Sequence, residues 1–321
     1  MSEPPARPEP PALFKDADDV RQRLDDVGYL VDEGTATALF LATVLGRPLL
    51  LEGEPGVGKT SAAKALAEAL DTPLIRLQCY EGLTAGEALY EWNYQRQLLA
   101  VRLTEAHGQQ GQQGEQGQDG QQRLTETDLF TEEFLLDRPL LRAVRHQGPL
   151  PPVLLIDEID RADDEFEALL FEFLGESAIT VPELGTFTAV RPPVAILTSN
   201  RSRELHDALR RRCLYHWIDF PAPERTAEIL RRSVPAANEP LIASATEFVG
   251  RVRGLDLDKA PGMAEAIDWV SALAVLRVAR LARGDIVATL SAVAKSPDDR
   301  VAVTEALEEL GYPGPGQARR P

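Results

Sequence analysis

The stretch LLLEGEPGVGKTSAAKALAEAL, residues 49–70, passes from apolar residues through a glycine-rich turn into an alanine-rich helical segment. The spacing from Gly53 to Gly58, Lys59 and Thr60 fits G-x-x-x-x-G-K-[ST], the pattern of a phosphate-binding loop between a strand and a helix. Glycines let the backbone turn tightly, so that its N–H groups and the positive end of the next helix can face phosphate oxygens. A chance match in a glycine-rich turn is the alternative, and the flanking strand and helix patterns argue against it.

The loop residues have distinct expected contacts with ATP and Mg²⁺, the two cofactors that the pattern implies. The Lys59 amine reaches the β- and γ-phosphates, and the Thr60 hydroxyl ligates Mg²⁺ together with Asp157 from a later strand. The predicted nucleotide-binding residues are Gly53, Glu54, Pro55, Gly56, Val57, Gly58, Lys59, Thr60, Ser61 and Asp157.

Composition and charge exclude several classes of protein. The chain has 321 residues, enough for two domains, and a formal net charge of −17, which argues against a general nucleic-acid binder. No apolar run approaches the roughly 20 residues of a membrane helix, and the first residues lack a secretory signal. Cys79 and Cys213 lack metal or disulfide spacing and are expected to be core thiols. We therefore expect a cytoplasmic protein without a transmembrane segment; the four histidines show no ligand spacing.

Five short apolar runs, separated by helical patterns, predict a three-layer α/β domain whose strands are buried as in a parallel sheet. The runs are RPLLLEG, PLIRLQC, PVLLIDE, PVAILTSN and LYHWIDFP. Two helices broken near Gly28 precede the first run, and helical patterns alone follow Pro221, including residues 261–282 and a helix capped by Ser296. The predicted divisions are a disordered tail (1–14), an α/β nucleotide-binding domain (15–222), an all-α lid domain (223–311) and a second tail (312–321).

Two further segments stand out. Residues 107–123, HGQQGQQGEQGQDGQQR, are rich in glycine and glutamine without bulky residues or proline, and predict a flexible loop rather than a collagen-like helix. Residues 177–193 alternate in polarity around Gly185, and predict a β-hairpin.

Polar residues follow two of the apolar runs. In VLLIDEID, Asp157 is expected to hold the Mg²⁺ shell and Glu158 to orient and activate the attacking water. In AILTSN, Asn200 ends the next run; it is either a helix cap or a polar group that positions the same water. Glu158 and Asn200 are therefore candidate catalytic residues.

Three arginines, Arg210, Arg211 and Arg212, lie between a helical pattern and the last apolar run. A solvated face or a favourable helix C-terminus is the ordinary interpretation. The alternative is an arginine finger supplied to the ATP of a neighbouring subunit, with Arg212 as the first candidate and Arg211 as the second. That role requires an oligomer.

Taken together, GEPGVGKT, LLIDEIDRADDEFEALLFEFL, LTSN and ALRRRC, in this order before a helical region, resemble an AAA+ ATPase. Within that superfamily the chain resembles the MoxR family, and most of all its CoxD-like branch, which is associated with maturation of carbon monoxide dehydrogenase. The branch is suggested by GYLVDEGTATALFLATVLGRPLLLEGE, CYEGLTAGEALYEWNYQRQLL, ITVPELGTFTAVRPP and NRSRELHDALRRRCLYHWIDFP. The resemblance covers roughly residues 20–295.

The resemblance implies a P-loop AAA+ domain with a five-stranded parallel sheet, an α-helical lid and a homo-oligomeric, hexameric ring. It implies an insertion, here about residues 82–125, and the hairpin at about 177–193. It also implies a chaperone that acts with a partner containing a von Willebrand factor A domain and that remodels or metallates a client metalloenzyme. One departure is visible: relatives carry a γ-phosphate-sensing arginine at the start of the third lid helix, where this chain has Met263, with Lys259 nearby.

Other functions remain open from the sequence. Related chaperones act on Rubisco or on nitric oxide reductase, and one chain does not identify its client. A DNA-acting AAA+ motor would need basic residues in the insertion and hairpin; the insertion offers Arg96 and Arg102 against several acids, and the hairpin offers Arg191. A scaffold that binds ATP without hydrolysis is disfavoured by the intact pair Asp157 and Glu158.

Overall fold

The computed structural model describes residues 12–110 and 126–313. Its strands are β1 (Leu49–Glu52), β2 (Leu74–Gln78), β3 (Tyr90–Trp92), β4 (Leu135–Asp137), β5 (Val153–Asp157), β6 (Ala178–Val181), β7 (Gly185–Thr188), β8 (Val194–Ser199) and β9 (Leu214–Trp217). Five of them form one parallel sheet in the order β2-β5-β8-β1-β9. These are the five strands that the apolar runs predict, and the prediction is confirmed.

The helices before the last sheet strand are α1 (Ala17–Asp26), α2 (Glu33–Leu45), α3 (Lys59–Ala69), α4 (Ala85–Ala88), α5 (Tyr94–Gln110), α6 (Glu126–Leu129), α7 (Pro139–Val144), α8 (Asp164–Glu176) and α9 (Asp207–Arg212). Those after it are α10 (Pro223–Ser233), α11 (Glu239–Val252), α12 (Met263–Val275), α13 (Arg283–Thr289) and α14 (Pro297–Glu305). No helix in the described part of the chain is long and apolar enough to cross a lipid bilayer.

Successive residues of β1, an interior strand, point to opposite faces of the sheet, so each face has its own core. Leu50 belongs to the core that α7 and α8 cover, whereas Leu49 and Leu51 belong to the core that α1, α2 and α3 cover. All three leucines are at most 1% exposed, as a strand covered on both faces requires. The predicted three-layer α/β arrangement is confirmed.

The first two helices are separated by a defined turn at Gly28, as predicted. Asp32 caps α2, its side chain accepting a hydrogen bond from Thr35 N, and Gly46 ends that helix in the left-handed region with φ +60°. The chain then enters β1 directly, because the capped end leaves only two residues before the strand.

The predicted hairpin is present: β6 and β7 pair antiparallel, with Val181 opposite Gly185 at φ +92°. In the predicted insertion, β3 pairs antiparallel with β4. The inserted segment therefore extends beyond residue 125, because β4 begins at Leu135. The expectation of a loop from residue 107 is wrong at its start, because α5 continues through Gln110. A glycine lowers helix stability by about 1 kcal/mol without necessarily ending the helix. Residues 111–123 of that expected loop, like the tail residues 1–11 and 314–321, lie outside the described residues.

The C-terminal helices α10 to α14 enclose a third core around Trp269 and Phe248, whose rings are 5.1 Å apart. Ser296 caps α14 as predicted, accepting from Asp299 N at 3.3 Å. The helix expected over 261–282 is shorter, since α12 ends at Val275. A Schellman motif ends it: Val278 N donates to Leu273 O and Arg277 N to Ala274 O, with Arg277 at φ +57°.

Both cysteines are unpaired and buried, as expected for core thiols. Cys79 follows β2 and Cys213 precedes β9. Burial raises the pKa of each thiol to about 12, since the thiolate is poorly solvated in an apolar core.

Leu50→Ala is expected to lower the free energy of unfolding by about 2–5 kcal/mol, because it leaves a cavity against β1, an interior strand of the sheet. Leu99→Ala, at a side chain that is 56% exposed on α5, should change it by less than about 0.5 kcal/mol. Urea unfolding of the two variants and the parent protein measures both values. Equal effects would contradict the assignment of Leu50 to the core.

Candidate nucleotide site

A cavity of about 400 Å³ lies at the carboxyl ends of β1, β5 and β8. Parallel strands bring these ends to one edge of the sheet, which is where open α/β sheets bind ligands. The sequence-predicted residues that line it are Pro55, Gly56, Val57, Gly58, Lys59, Thr60, Ser61, Asp157, Glu158 and Asn200. Residues far apart in sequence are thus brought together around one space.

The glycine-rich loop passes close to its neighbours and needs its glycines. A Cβ atom on Gly53 would lie 2.3 Å from the carbonyl oxygen of Ile218, just beyond β9. Gly58 has φ +107° and immediately precedes α3, so the first turn of that helix opens onto the cavity. The turn therefore presents backbone N–H groups and a helix N-terminus at one place, as phosphate binding requires.

Lys59, the first residue of α3, is 6% exposed and holds the loop together from within. Its amine donates to Gly53 O at 2.6 Å and to Glu54 O at 2.9 Å. Burial lowers the pKa of Lys59, and the carboxylates of Asp160, Glu54, Asp157 and Glu158 oppose that shift. The two loop residues that do not line the cavity, Gly53 and Glu54, are thus joined to it through this amine.

The Asp157 carboxylate is the most connected group of the site. It accepts from Thr60 Oγ1 at 2.9 Å, from Thr198 Oγ1 at 2.6 Å and from Arg76 Nε at 3.0 Å. Asp157 is 2% exposed, and Arg76 balances its buried charge. A hydroxyl and a carboxylate 2.9 Å apart are the hard oxygen donors that Mg²⁺ prefers, so the residues fit Mg²⁺ beside a phosphate-binding loop.

Glu158 has a left-handed backbone, φ +56°, which is unusual for a residue other than glycine. Its N–H donates to Thr198 Oγ1 at 2.9 Å, and its carboxylate is paired with Arg161 Nε at 2.9 Å. The hydroxyl of Thr198 thereby sets the positions of both Asp157 and Glu158. Sequence reasoning missed Thr198, because a threonine inside an apolar strand is an ordinary strand residue.

Asn200 lines the cavity at the end of β8, and it does not cap α9, whose N-cap residue is His206. The loop after the strand is held by Asp160, which is 3% exposed and accepts from Asn200 N at 3.2 Å and from Ser202 N at 2.9 Å. A carboxylate two residues beyond Glu158 therefore positions the neighbouring strand end.

The other end of the cavity is largely apolar, and sequence reasoning did not find it. Its lining residues include Tyr29, Leu30, Ile218, Ile229, Met263 and Ile267, from the turn before α2, the end of β9 and the C-terminal helices. Burial raises the pKa of Tyr29 to about 12. Arg225 of α10 pairs with Asp32 at 3.1 Å across the rim. An apolar wall next to a phosphate-binding loop suits a nucleotide base. The apolar stretch GYLV, residues 28–31, just before the capping Asp32, was the sequence feature that could have indicated this apolar wall.

The candidate arginine fingers do not line the cavity of their own chain. Arg212 donates to Phe171 O at 2.8 Å and stacks over the Phe171 ring, with 4.3 Å between its Cζ and the ring centroid. The side chain of Arg211 is 84% exposed, and Arg210 is exposed as well. At the position of the absent lid arginine, Met263 lines the cavity, whereas Lys259 does not.

Comparison with known proteins identifies the family. The model of the ATPase family associated with various cellular activities (AAA) matches residues 49–221, more than half of the chain. The chain belongs to this AAA family. ATPase activity and nucleotide binding, in general terms, come with that membership.

Two further similarities are weaker. Protein NorQ of Paracoccus denitrificans (strain Pd 1222) is 24% identical over 238 residues, which cover 72% of this chain and 74% of NorQ. Among solved structures, the Thermotoga maritima RuvB Holliday junction branch migration motor is 18% identical, with a TM-score of 0.44. The match covers 89% of this chain and 72% of the RuvB chain. A mutant of the same protein is 20% identical, with a TM-score of 0.45, and the match covers 89% of this chain and 73% of the mutant's chain. The assignment rests on the family match.

Thr198→Val is expected to lower the free energy of unfolding by about 1–3 kcal/mol, because it leaves the part-buried Glu158 N–H without this acceptor and removes one of the donors to Asp157. Thr198→Ser keeps the hydroxyl and should retain most of the stability. Thermal or urea unfolding of the two variants measures the difference. If the valine variant were as stable as the serine variant, the hydroxyl would not be the link described above.

Proposed function

We propose that this AAA ATPase binds MgATP in the cavity and hydrolyses ATP as a ring-forming chaperone of the MoxR type. The observation that carries the proposal is the convergence of Lys59, Thr60, Asp157 and Glu158 on one cavity at the carboxyl edge of the sheet. The apolar wall beside them has room for a base. The chain thus offers separate places for phosphates, metal and base.

The loop binds and orients the phosphates in this proposal. The Lys59 amine exchanges its two backbone acceptors for β- and γ-phosphate oxygens, and the loop N–H groups hold the remaining oxygens. Thr60 and Asp157 hold Mg²⁺, which when bound withdraws negative charge from the phosphates. Because Thr60 and Asp157 are already hydrogen-bonded to each other, little rearrangement is needed to bind the metal.

Glu158 is the proposed general base that orients the attacking water, and Asn200 holds that water from the adjacent strand. Both residues line the cavity, one at the end of β5 and one at the end of β8. The ion pair with Arg161 has to open for Glu158 to accept a proton. Arg161 is 60% exposed, so solvent can take over its charge.

Glu158→Gln should leave MgATP affinity nearly unchanged and lower turnover by about 10²–10⁴-fold, because the amide cannot accept the proton of the water. Lys59→Ala should lose ATP binding as well. Glu165→Gln makes the same chemical change on the exposed start of α8 and should behave like the parent protein. Fluorescent-nucleotide titration and steady-state phosphate release separate the two effects, and full turnover in Glu158→Gln would remove Glu158 from this role.

The ring is also part of the proposal. An arginine finger acts on a neighbouring subunit, and Arg211, the more exposed of the two candidates, is better placed for this than Arg212, which is held by Phe171. ATP binding would tighten the subunit interfaces, and hydrolysis would loosen them. The insertion and the β6–β7 hairpin would then move against a client.

Arg211→Ala is expected to bind ATP normally and to lose turnover by up to about 10³–10⁵-fold. Mixing it with Lys59→Ala subunits should restore part of the activity, because the intact site of one variant receives Arg211 from the other. Arg210→Ala is the matched control. Phosphate release by the separate and the mixed proteins measures this. If the mixture is no more active than its components, Arg211 does not act between subunits.

The similarity to NorQ supports membership of the MoxR family but gives no support for the CoxD-like branch. Within the proposal, the chain works with a partner containing a von Willebrand factor A domain and remodels, matures or metallates a metalloenzyme, possible clients being a molybdenum-containing carbon monoxide dehydrogenase, Rubisco or nitric oxide reductase. Purified A-domain candidates tested for ATP-dependent binding would identify the partner. A DNA-acting motor is the competing proposal, and salt-dependent DNA binding would support it instead.

A further inference from the structure

The C-terminal helices approach the phosphate loop chiefly through backbone, with the Glu265 carboxylate of α12 beside the contact. The Cα atoms of Gly56 and Gly262 are so close that a Cβ atom on either glycine would lie 2.7 Å from the Cα of the other. A separation below 3.0 Å is not tolerated by real side chains, so something would have to shift. Gly262 has φ −73°, which any residue can adopt. A Cβ there would also lie 2.7 Å from Glu265 Oε2, the movable end of a side chain. The lack of a side chain is therefore needed for proximity to the loop and to this carboxylate, and not for backbone conformation.

One hydrogen bond joins the same two segments. The N–H of Met263, the first residue of α12, donates to Gly56 O at 2.9 Å. The first N–H groups of a helix have no acceptor within the helix, and the tight loop leaves its carbonyl without a sheet or helix partner. Each segment thus satisfies a polar group of the other.

The contact is fixed from the α11 side as well. Arg253 Nε donates to the carbonyl of Pro261, the residue before Gly262, at 2.8 Å. The Arg253 guanidinium lies over the Phe220 ring, 4.3 Å from its centroid, in the segment that connects β9 to α10. The turn before α12 is therefore held in place against the AAA core and cannot move independently of Arg253.

Neither α12 nor the turn before it contains an arginine that could make this link, and Arg253 contacts that turn at Pro261. Of the described residues in α10 and α12 that line the cavity, namely Arg225, Ile229, Met263, Ala264 and Ile267, only Arg225 carries a positive charge. Arg225 is paired with Asp32 at the other end of the cavity. The hydrogen bond from Met263 N to Gly56 O directly links the start of α12 to the phosphate-binding loop.

We propose that Gly262 and the N–H of Met263 are positioning groups, through which α12 follows the phosphate loop when nucleotide binds. The inference rests on the proposed nucleotide site. Binding fixes Gly56, Gly56 fixes the first turn of α12, and the C-terminal helices thereby close against the AAA core. Gly262 sets the distance between the start of α12 and the loop, and the hydrogen bond from the Met263 N–H sets the orientation of α12 relative to the loop.

Two pairs of variants test this. Gly262→Ala inserts a methyl group into the contact, whereas Gly250→Ala, in α11, meets no atom within 4 Å and is its control. Met263→Pro removes the N–H at the first helical position, where proline is tolerated, and the extended Gly262 before it (ψ −178°) suits a following proline. Met263→Ala also loses the cavity-lining methionine side chain but keeps the N–H, so it serves as the reference for Met263→Pro and not for the parent affinity.

The measurement is hydrogen exchange of α12 with and without saturating MgADP, together with fluorescent-nucleotide titration. In the parent protein, Gly250→Ala and Met263→Ala, nucleotide should slow exchange in the first turns of α12. Gly262→Ala and Met263→Pro should bind nucleotide about tenfold more weakly than their controls and lose this protection even at saturation. A merely structural change would lower stability without abolishing the response.

The inference is overturned if α12 in the parent protein does not respond to nucleotide, or if Gly262→Ala responds as Gly250→Ala does. Should Gly262→Ala fail to fold, a normal response in Met263→Pro overturns it equally. A parent protein that binds no nucleotide at all would overturn the proposed function too. A parent protein that binds and turns over ATP beside unaffected variants would overturn only this inference.

Discussion

The site depends on the buried carboxylate of Asp157. It joins β5 to α3 through Thr60, to β8 through Thr198 and to β2 through Arg76. A charge that is 2% exposed is stable only when its partners stay in place, so the need to satisfy it fixes the spacing of three strands and one helix at their common edge. The same atoms that stabilise this edge of the sheet are those that would hold the metal.

The sheet and the phosphate half of the site were predictable from the sequence. Each strand is a short apolar run, and Asp157, Glu158 and Asn200 come directly after two of them. Because parallel strands end at one edge, these residues had to converge on the loop that follows β1. Predicting them required only periodicity, spacing and a loop pattern that determines its own backbone conformation. The branch of the family, in contrast, rests on resemblance, and the comparisons reach the AAA family and a weak likeness to NorQ.

The rest of the site could not be predicted, because it is made by contacts between distant segments. Tyr29 and Arg225 lie in separate helical regions, and nothing local distinguishes them from other surface-forming residues. Asp160 has no sequence spacing that relates it to Asn200, and only the structure shows that its carboxylate accepts from Asn200 N. α12 ends early because Arg277 adopts a left-handed conformation that is usually found at glycine. No glycine marks this helix end in the sequence. The close backbone contact between Gly262 and Gly56 likewise has no sequence pattern that predicts it.

The two deeply placed sulfhydryl groups have a practical consequence for following motion in this molecule. Cys79 and Cys213 are at most 7% exposed and hardly ionise near neutral pH, so alkylating dyes and spin labels react with them slowly. A single new surface cysteine on a C-terminal helix can therefore carry a probe without first replacing the native pair. The fold therefore suits site-directed labelling of its C-terminal helices.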